Sequence, residues 1–457
     1  MVYIPLVEKE EVDLKEEHKM YDIIYIGGGL NYAGAVVAAK NGKKVALIEK
    51  DLNQLGGVCL HKGCIPSKMF LHYSNLVYES KNEILDGTLK LSQKRLFEKK
   101  DALLKSVTKV VQRQCSHFET IEGEGKLIAP HKVEVNGKVL EAKHIIIGTG
   151  SHSFVPDGIE YNTKDIIVSD EVLMLEELPQ KIAIYGTGAI GLEMASFFAT
   201  AGVEVTLLAH GNALFKHAHP LIQTALQEQL EKLGVTFLPS HPIESAKSTQ
   251  RGVHISYEDG SSNYFPMLLV AVGRRPNVDV VACDEVEVNR GIVTDEYFET
   301  TLKDHYAIGD CNGKVQLAHA ARAEVLNVTQ RILGEDPRAV NLEHIVKFIH
   351  TLPMSYASVG KSKQELQKQQ IEHKESVVTL NQFTYSVYNH ASKGVMISYI
   401  DNEGFILGAE ILAPHAEELI STVAISLAGE MDVSLAKRTI LGHPTFSEAL
   451  ERTFYKL

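Results

Sequence analysis

The sequence predicts an α/β protein with two Rossmann-like, doubly wound domains followed by a C-terminal α+β domain. Two stretches carry the strand, glycine turn, helix, strand order of a dinucleotide fold. The glycine turns stop near Asn341, where the chain changes character. At 457 residues it exceeds what one hydrophobic core supports, so two to four domains are expected.

The first 19 residues are acidic and mixed in charge, unlike a signal peptide, which needs a basic start and an apolar run. From Tyr21 the chain reads YDIIYIGGGLNYAGAVVAAKNGKKVALIEKD, a βαβ unit whose second strand ends at Glu49. Glycines in such a turn let a pyrophosphate approach the helix N-terminus, while an acidic side chain holds a ribose hydroxyl. Gly27 and Gly29 fit, but Tyr32 takes the third glycine position and the next glycine is Gly34. A glycine cluster alone equally fits an ordinary strand-to-helix turn.

Next comes GGVCLHKGCIPSK, with Cys59 and Cys64. In a regular helix five steps would part their Cα atoms by roughly 8 to 9 Å, whereas a disulfide tolerates about 4.4 to 6.8 Å. The segment must therefore be distorted, and Gly56, Gly57 and Gly63 provide the freedom for it. A bridge closing so small a loop constrains the unfolded chain little, which points to a bond that opens and closes. The alternative is a pair of unrelated thiols or part of a metal site, yet Cys115, Cys283 and Cys311 are solitary. No metal site is expected.

The second unit, KIAIYGTGAIGLEMASFFATAGVEVTLLAHG, has Gly186, Gly188 and Gly191 in full register. Its second strand ends in Leu208, Ala209 and His210, with neither a carboxylate for NAD nor an arginine for NADP, so the choice stays open. HIIIGTGS (144–151) and MLLVAVGRRPN (267–277) read as strands ending in glycine turns. HYAIGDCNG places Asp310 after a strand, as a receiver of cofactor hydroxyls or simply as an Asx turn.

In the last third, KSKQELQKQQIEHKE (361–375) reads as a solvated helix. FTYSVYNHASKGVMISYIDNEGFILGAEIL reads as successive strands turning near Asn402 and Gly404, and a helix follows from Ala416 to Gly429. In the tail, His443 precedes Glu448 across Pro444. A carboxylate on one imidazole nitrogen raises the basicity of the other, as a general acid/base beside a thiol requires, although such a pair at a helix start also serves as a cap.

The formal net charge of -12 disfavours a nucleic-acid or anionic-membrane partner, and no apolar run is long enough to span a bilayer. Five cysteines in so long a chain fit a reducing, cytoplasmic compartment.

Taken in order, GGVCLHKGCIPSK, GTGAIGLE, GRRPN, YAIGD, LAHAA and HPTFSE resemble the FAD-dependent pyridine nucleotide-disulfide oxidoreductases, over about residues 20 to 455. Ser67 before Lys68 resembles the lipoamide and mercuric branches of that group more than the glutathione branch, and the terminal FYKL lacks the cysteine pair of mercuric reductases, which leaves dihydrolipoamide dehydrogenase as the nearest activity. The resemblance implies an FAD domain at 20–152 and 277–342, an NAD(P) domain at 153–276 and a dimerisation domain at 343–457, after an N-terminal extension at 1–19. It implies FAD contacts around Gly27, Gly29, Glu49, Lys50, Gly57, Lys68, Thr149, Gly150, Asp310, Leu317, Ala318 and His319. NAD or NADP would lie around Gly186, Gly188, Gly191, Ala209, His210 and Gly273.

By the same resemblance Cys64 faces the flavin, Cys59 exchanges with substrate, and Lys68 pairs with Glu193 beside the flavin. A helix N-terminus lowers the thiol pKa, with Lys62 adding charge if it points inward. His443, oriented by Glu448, comes from the partner of a homodimer. His61 stands where asparagine is common and Met354 where glutamate is frequent. The implied activity is thiol-disulfide oxidoreduction of lipoyl groups with a role in cell redox homeostasis. Its rivals are NADPH-dependent reduction of another disulfide, metal or sulfur compound, and a flavin-binding scaffold without catalysis.

Overall fold

The computed structural model describes residues 20–175 and 177–455, so the expected extension at 1–19 lies outside the described residues. The first sheet grows from Met20–Ile26, whose Ile23, Ile24, Tyr25 and Ile26 are at most 1% exposed. Burial on both faces is what a parallel strand between helices requires, and each such side chain contributes about 2 kcal/mol. Helix α1 (Asn31–Lys40) carries the chain to Val45–Glu49, which pairs in parallel with the first strand.

The thiol segment follows as α2 (Gly57–His61) and α3 (Cys64–Glu79), and then α4 (Gln93–Cys115) leads to Glu119–Glu122 at the sheet edge. On the other side the long strand Lys138–Ile147 pairs with the first strand, and its C-terminal end takes His305–Ala307 in parallel. Its N-terminal half carries the antiparallel strands Lys132–Val135 and Lys126–Ala129. A distant segment thus closes the first sheet after the second has been built.

The second sheet begins with Ile166–Ile167 and the short α5 (Ser169–Val172). Lys181–Tyr185, α6 (Ala189–Thr200) and Glu204–Leu208 repeat the βαβ order, and α7 (Pro220–Lys232) leads to Thr236–Leu238. Leu268–Val270 completes a parallel sheet in which the first strand of the unit lies centrally. Ser151–Ser153 pairs with Arg274–Pro276 where the chain passes between the two sheets. Helix α8 (Ala318–Ile332) then packs back against α1.

The last region is a five-stranded antiparallel sheet in the order Lys347–Ile349, Ser355–Gly360, Ile406–Ala413, Val395–Ile400 and Lys374–Thr379. Its helices are α9 (Lys363–Lys368), α10 (Thr384–Tyr388), α11 (Ala416–Ala428), α12 (Val433–Ala436) and α13 (Ser447–Tyr455). Helix α11 lies on strands 355–360 and 406–413, and α13 on strands 374–379 and 395–400. The α/β class with two Rossmann-like units and a C-terminal α+β domain is borne out.

Two local expectations are corrected. The segment 361–375 is helical only over α9, which Ser362 and Glu365 cap reciprocally. Gln370 takes a positive φ of 56°, and from Lys374 the buried Ser376 and Val378 draw the chain into the sheet. FTYSVY forms α10 rather than a strand, because the buried Ser386 hydroxyl donates to the Leu380 and Phe383 carbonyls and closes a helical turn. No helix among the described residues is long and apolar enough to cross a membrane.

Candidate active site

Cys59 sits inside α2 and Cys64 is the first residue of α3, so the expected distortion is a helix break at Lys62 and Gly63. A Cβ on Gly63 would stand 3.0 Å from the Val58 carbonyl oxygen and 3.3 Å from the Cys59 Cα, so only glycine lets the two turns approach this closely. Gly57 has φ +69°, and a Cβ there would meet the Gly29 Cα at 2.9 Å. With the Gly56 N–H donating to the Gly28 carbonyl at 3.0 Å, the thiol segment is fastened to the first glycine loop. The His61 Nε2 bonds the Leu55 carbonyl at 2.9 Å, so that ring holds the segment rather than touching the thiols.

The two thiols are unbridged and hydrogen-bonded to each other. That bond draws the Cys64 pKa down to about 7, helped by Lys68 and by the backbone N–H at the start of α3, against burial and the Glu193 carboxylate. The same bond and burial push Cys59 up. Of the two thiols, Cys64 is thus the one that ionises more readily. Lys62 does not face the sulfurs: its Nζ lies 3.8 Å from Asp170 on α5, which corrects the expected source of positive charge.

Lys68, one turn into α3, donates to Glu193 Oε1 at 2.5 Å, with the Glu193 side chain only 6% exposed on α6. The backbone N–H of His350 donates to the same oxygen at 3.1 Å. Two donors on one carboxylate oxygen hold the pair in place.

Both glycine loops fit a dinucleotide. At the second, Gly186 has φ +121°, a Cβ on Gly188 would meet no atom within 4 Å, and one on Gly191 would overlap the Gly186 carbonyl oxygen. These are the tight turn, the open approach for a pyrophosphate and the close helix packing that the motif assigns to its three glycines. At the first loop a Cβ on Gly27 would meet the Gly148 carbonyl oxygen at 2.5 Å, while Gly29 is open to 3.9 Å. The packing task has moved to Gly34, whose Cβ would strike Thr329 and Val325 of α8 at 2.6 Å. That accounts for Tyr32 at the usual glycine position.

The remaining expected contacts distribute around these loops. Glu49 accepts the Gly28 N–H at 2.5 Å, and Lys50 turns to Glu124 at 3.0 Å on the surface. Thr149 Oγ1 donates to the Asn277 carbonyl, and a Cβ on Gly150 or Gly273 would face open space. Asp310 accepts from Ser151 Oγ at 2.5 Å, and that hydroxyl accepts from Arg274 Nε at 2.8 Å. Leu317 precedes α8, Ala318 opens it, and His319 Nε2 bonds the Val346 carbonyl at 2.8 Å. Ala209 is buried with its N–H on the Leu238 carbonyl, and His210 is exposed beside it.

His443 lies elsewhere. Its Nδ1 is 2.7 Å from Glu448 Oε1, and its side chain is 80% exposed at a cavity of about 620 Å³ that Tyr385, Tyr388 and Arg452 also line. The His443 hydrogen bond holds the Glu448 carboxyl below the usual carboxylate range. The structure therefore brings Cys59, Cys64, Lys68 and Glu193 together and leaves His443 and Glu448 outside that group.

Sequence reasoning missed three residues. Asn31 is fully buried, donates to the Ile26 carbonyl at 3.0 Å and occupies the space a side chain on Gly148 would need. Glu324, also fully buried, accepts from Gly309 N–H at 2.7 Å and from Asn312 at 2.9 Å, fixing the turn that carries Asp310. His350 is the third. For Asn31 the only available signal was a polar residue at the start of a predicted helix, and no element was predicted around Glu324.

Residues 21–324 match the family described as pyridine nucleotide-disulphide oxidoreductase, and 346–454 match its dimerisation domain. A dihydrolipoyl dehydrogenase of Chlamydia muridarum is 30% identical over 449 residues, covering 94% of this chain and 95% of that protein. A leghemoglobin reductase of Glycine max is 30% identical over 459 residues, covering 94% and 86%. Among solved structures, the HOCl-induced flavoprotein disulfide reductase RclA of Escherichia coli superposes with TM-score 0.86 at 24% identity, over 95% of this chain and 99% of that one. LpdA of Mycobacterium tuberculosis does so with TM-score 0.87 at 22% identity, again over 95% and 99%. These two likenesses speak for the fold. The chain belongs to the pyridine nucleotide-disulphide oxidoreductase family, enzymes that work with FAD and NAD(P).

Proposed function

We propose that the protein is a cytoplasmic, homodimeric enzyme of dihydrolipoamide dehydrogenase type, moving an electron pair between a lipoyl dithiol and NAD(P) through Cys59 and Cys64. The observation that carries this reading is the thiol pair across the α2–α3 break, with Cys64 drawn down to about 7 beside Lys68. The names of the curated relatives support the lipoyl substrate. In this reading FAD binds in 20–152 and 277–342, NAD(P) in 153–276, and the second copy along 343–457. The return of His305–Ala307 to the first sheet supports the first of these limits.

When bound, FAD supplies the two-electron link between the thiols and the nicotinamide. The Gly27–Gly29 loop and α1 hold its pyrophosphate, with Glu49 and Asp310 taking hydroxyls. The chain's own residues handle sulfur and protons. With the pair oxidised, His443 of the second copy takes a proton from one substrate thiol through Nε2, because Glu448 occupies Nδ1. The substrate thiolate attacks Cys59 Sγ, the Cys59–Cys64 bond breaks, and Cys64 leaves as a thiolate held by Lys68 and the α3 N-terminus. The second substrate thiol then attacks its own mixed disulfide, giving the cyclic disulfide, and its proton passes to Cys59.

Two electrons and one proton thus end on the pair, and one proton on His443. The test is to add NAD(P)H anaerobically to the holoenzyme, map alkylated thiols by mass spectrometry and assay lipoamide turnover. New label at Cys59 and Cys64 with fast turnover is expected. No new label would end the redox assignment, and label without lipoamide turnover would end the lipoyl assignment.

A further inference from the structure

We propose that His350 is a positioning residue of the redox site: its imidazole, set between Glu417 and the Lys68–Glu193 pair, governs how firmly Lys68 holds the Cys64 thiolate and makes that hold respond to acid. The proposal rests on the reading of Cys59 and Cys64 as the reacting pair.

The geometry is specific. The His350 N–H donates to Glu193 Oε1, the oxygen that also receives Lys68, so the residue is fixed against the ion pair whatever its side chain does. Its Nδ1 points to Glu417 Oε1 at 3.9 Å, in the first turn of α11. Glu417 Oε2 is buried without a hydrogen-bond partner, and a buried carboxylate oxygen in that condition favours a nearby proton donor. Phe348 lies at a steep angle to the imidazole with ring centroids 5.3 Å apart and has Lys68 Nζ over its ring at 5.7 Å, so the ring packs against both side chains.

The charged groups facing His350 are Lys68 on α3, Glu193 on α6, and Glu417 and Glu418 on α11. Burial, with Lys68, holds the imidazole below its ordinary 6.5 against the pull of the three carboxylates. At neutral pH His350 therefore adds no charge. Glu193 then opposes the Cys64 thiolate while Lys68 supports it. As pH falls, a proton on His350 places a second cation beside Glu193, offsets that opposition and keeps Cys64 ionised further into acid.

The experiment reduces the holoenzyme with NAD(P)H and follows the alkylation rate of Cys64 from acid to neutral pH. The wild type is expected to give a curve broader than a single proton allows, extended on its acid side. His350→Gln and His350→Phe keep the backbone bond to Glu193 and should narrow that curve and move its acid limb up by about one pH unit. Glu417→Gln should displace the limb in the same direction by less, because His350 then protonates only at lower pH. Variants that follow the wild-type curve would overturn the role of His350. If NAD(P)H frees no thiol in the wild type, the parent reading falls instead, so the two failures are distinguishable.

Discussion

The two halves of the proposed site are built in opposite ways. Cys59, Cys64, Lys68 and Glu193 come from α2, α3 and α6 of one chain and lie in hydrogen-bond reach of a partner within it. His443 stands on the C-terminal domain with 80% of its side chain exposed, tied among the described residues only through Nδ1 to Glu448. The thiol half has its charge-stabilising groups in place before substrate arrives. The base half has a fixed tautomer and, among the described residues, no hydrogen-bond partner at Nε2 and no thiol beside it, which is what a site completed by a second copy requires.

The sharpest way to break this contrast is to remove the more readily ionised thiol. Cys64→Ser should lower lipoamide turnover by about 10⁴-fold, since the leaving thiolate is lost. It should leave the fold intact, because Cys64 is exposed in the single chain. Turnover within tenfold of wild type would place the chemistry elsewhere.

Next in size is the base half. His443→Ala should cost roughly 10³-fold in kcat. Mixed with Cys59→Ser under conditions that exchange subunits, it should recover about a quarter of wild-type activity, because half the dimers then hold one intact site. No recovery despite heterodimers seen by native mass spectrometry would place both halves in one chain.

Within the thiol half the two ends of the ion pair act on Cys64 in opposite senses. Lys68→Met should move the Cys64 titration up from about 7 by about one unit, and Glu193→Gln should move it down, since Lys68 lowers and Glu193 raises that thiol. Alkylation rate against pH reads both. Shifts of the same sign would show that the pair acts through packing rather than charge.

The contrast also explains what the sequence revealed. Short-range devices were legible: the glycines of both loops, the break forced between Cys59 and Cys64, and Glu448 five residues after His443. Lys68 and Glu193 are 125 residues apart, and no periodicity announces that two helices from different domains will meet there. Family resemblance alone pointed to that pair. Gly34 shows the reverse problem, because the sequence displayed an imperfect loop whose repair depends on α8, nearly 300 residues away. The expected strand at FTYSVY failed for a related reason: alternating residues suit a strand, but the Ser386 hydroxyl and the packing of Tyr385 on Phe446 select a helical turn.

The smallest expected effect probes how independent the base half is of the rest of the fold. Glu448 gains the His443 hydrogen bond and the Thr445 N–H on folding, and its carboxyl falls below 4.5. A depressed folded value stabilises the protein above the unfolded value, and that stabilisation is lost as pH falls through the folded one. The pair is largely solvent-screened, so Glu448→Gln should lower the melting temperature at neutral pH by at most about 2 °C. That difference should close below pH 4.5. A larger loss, or one that persists in acid, would mean that Glu448 supports the packing of α13 and not chiefly the orientation of His443.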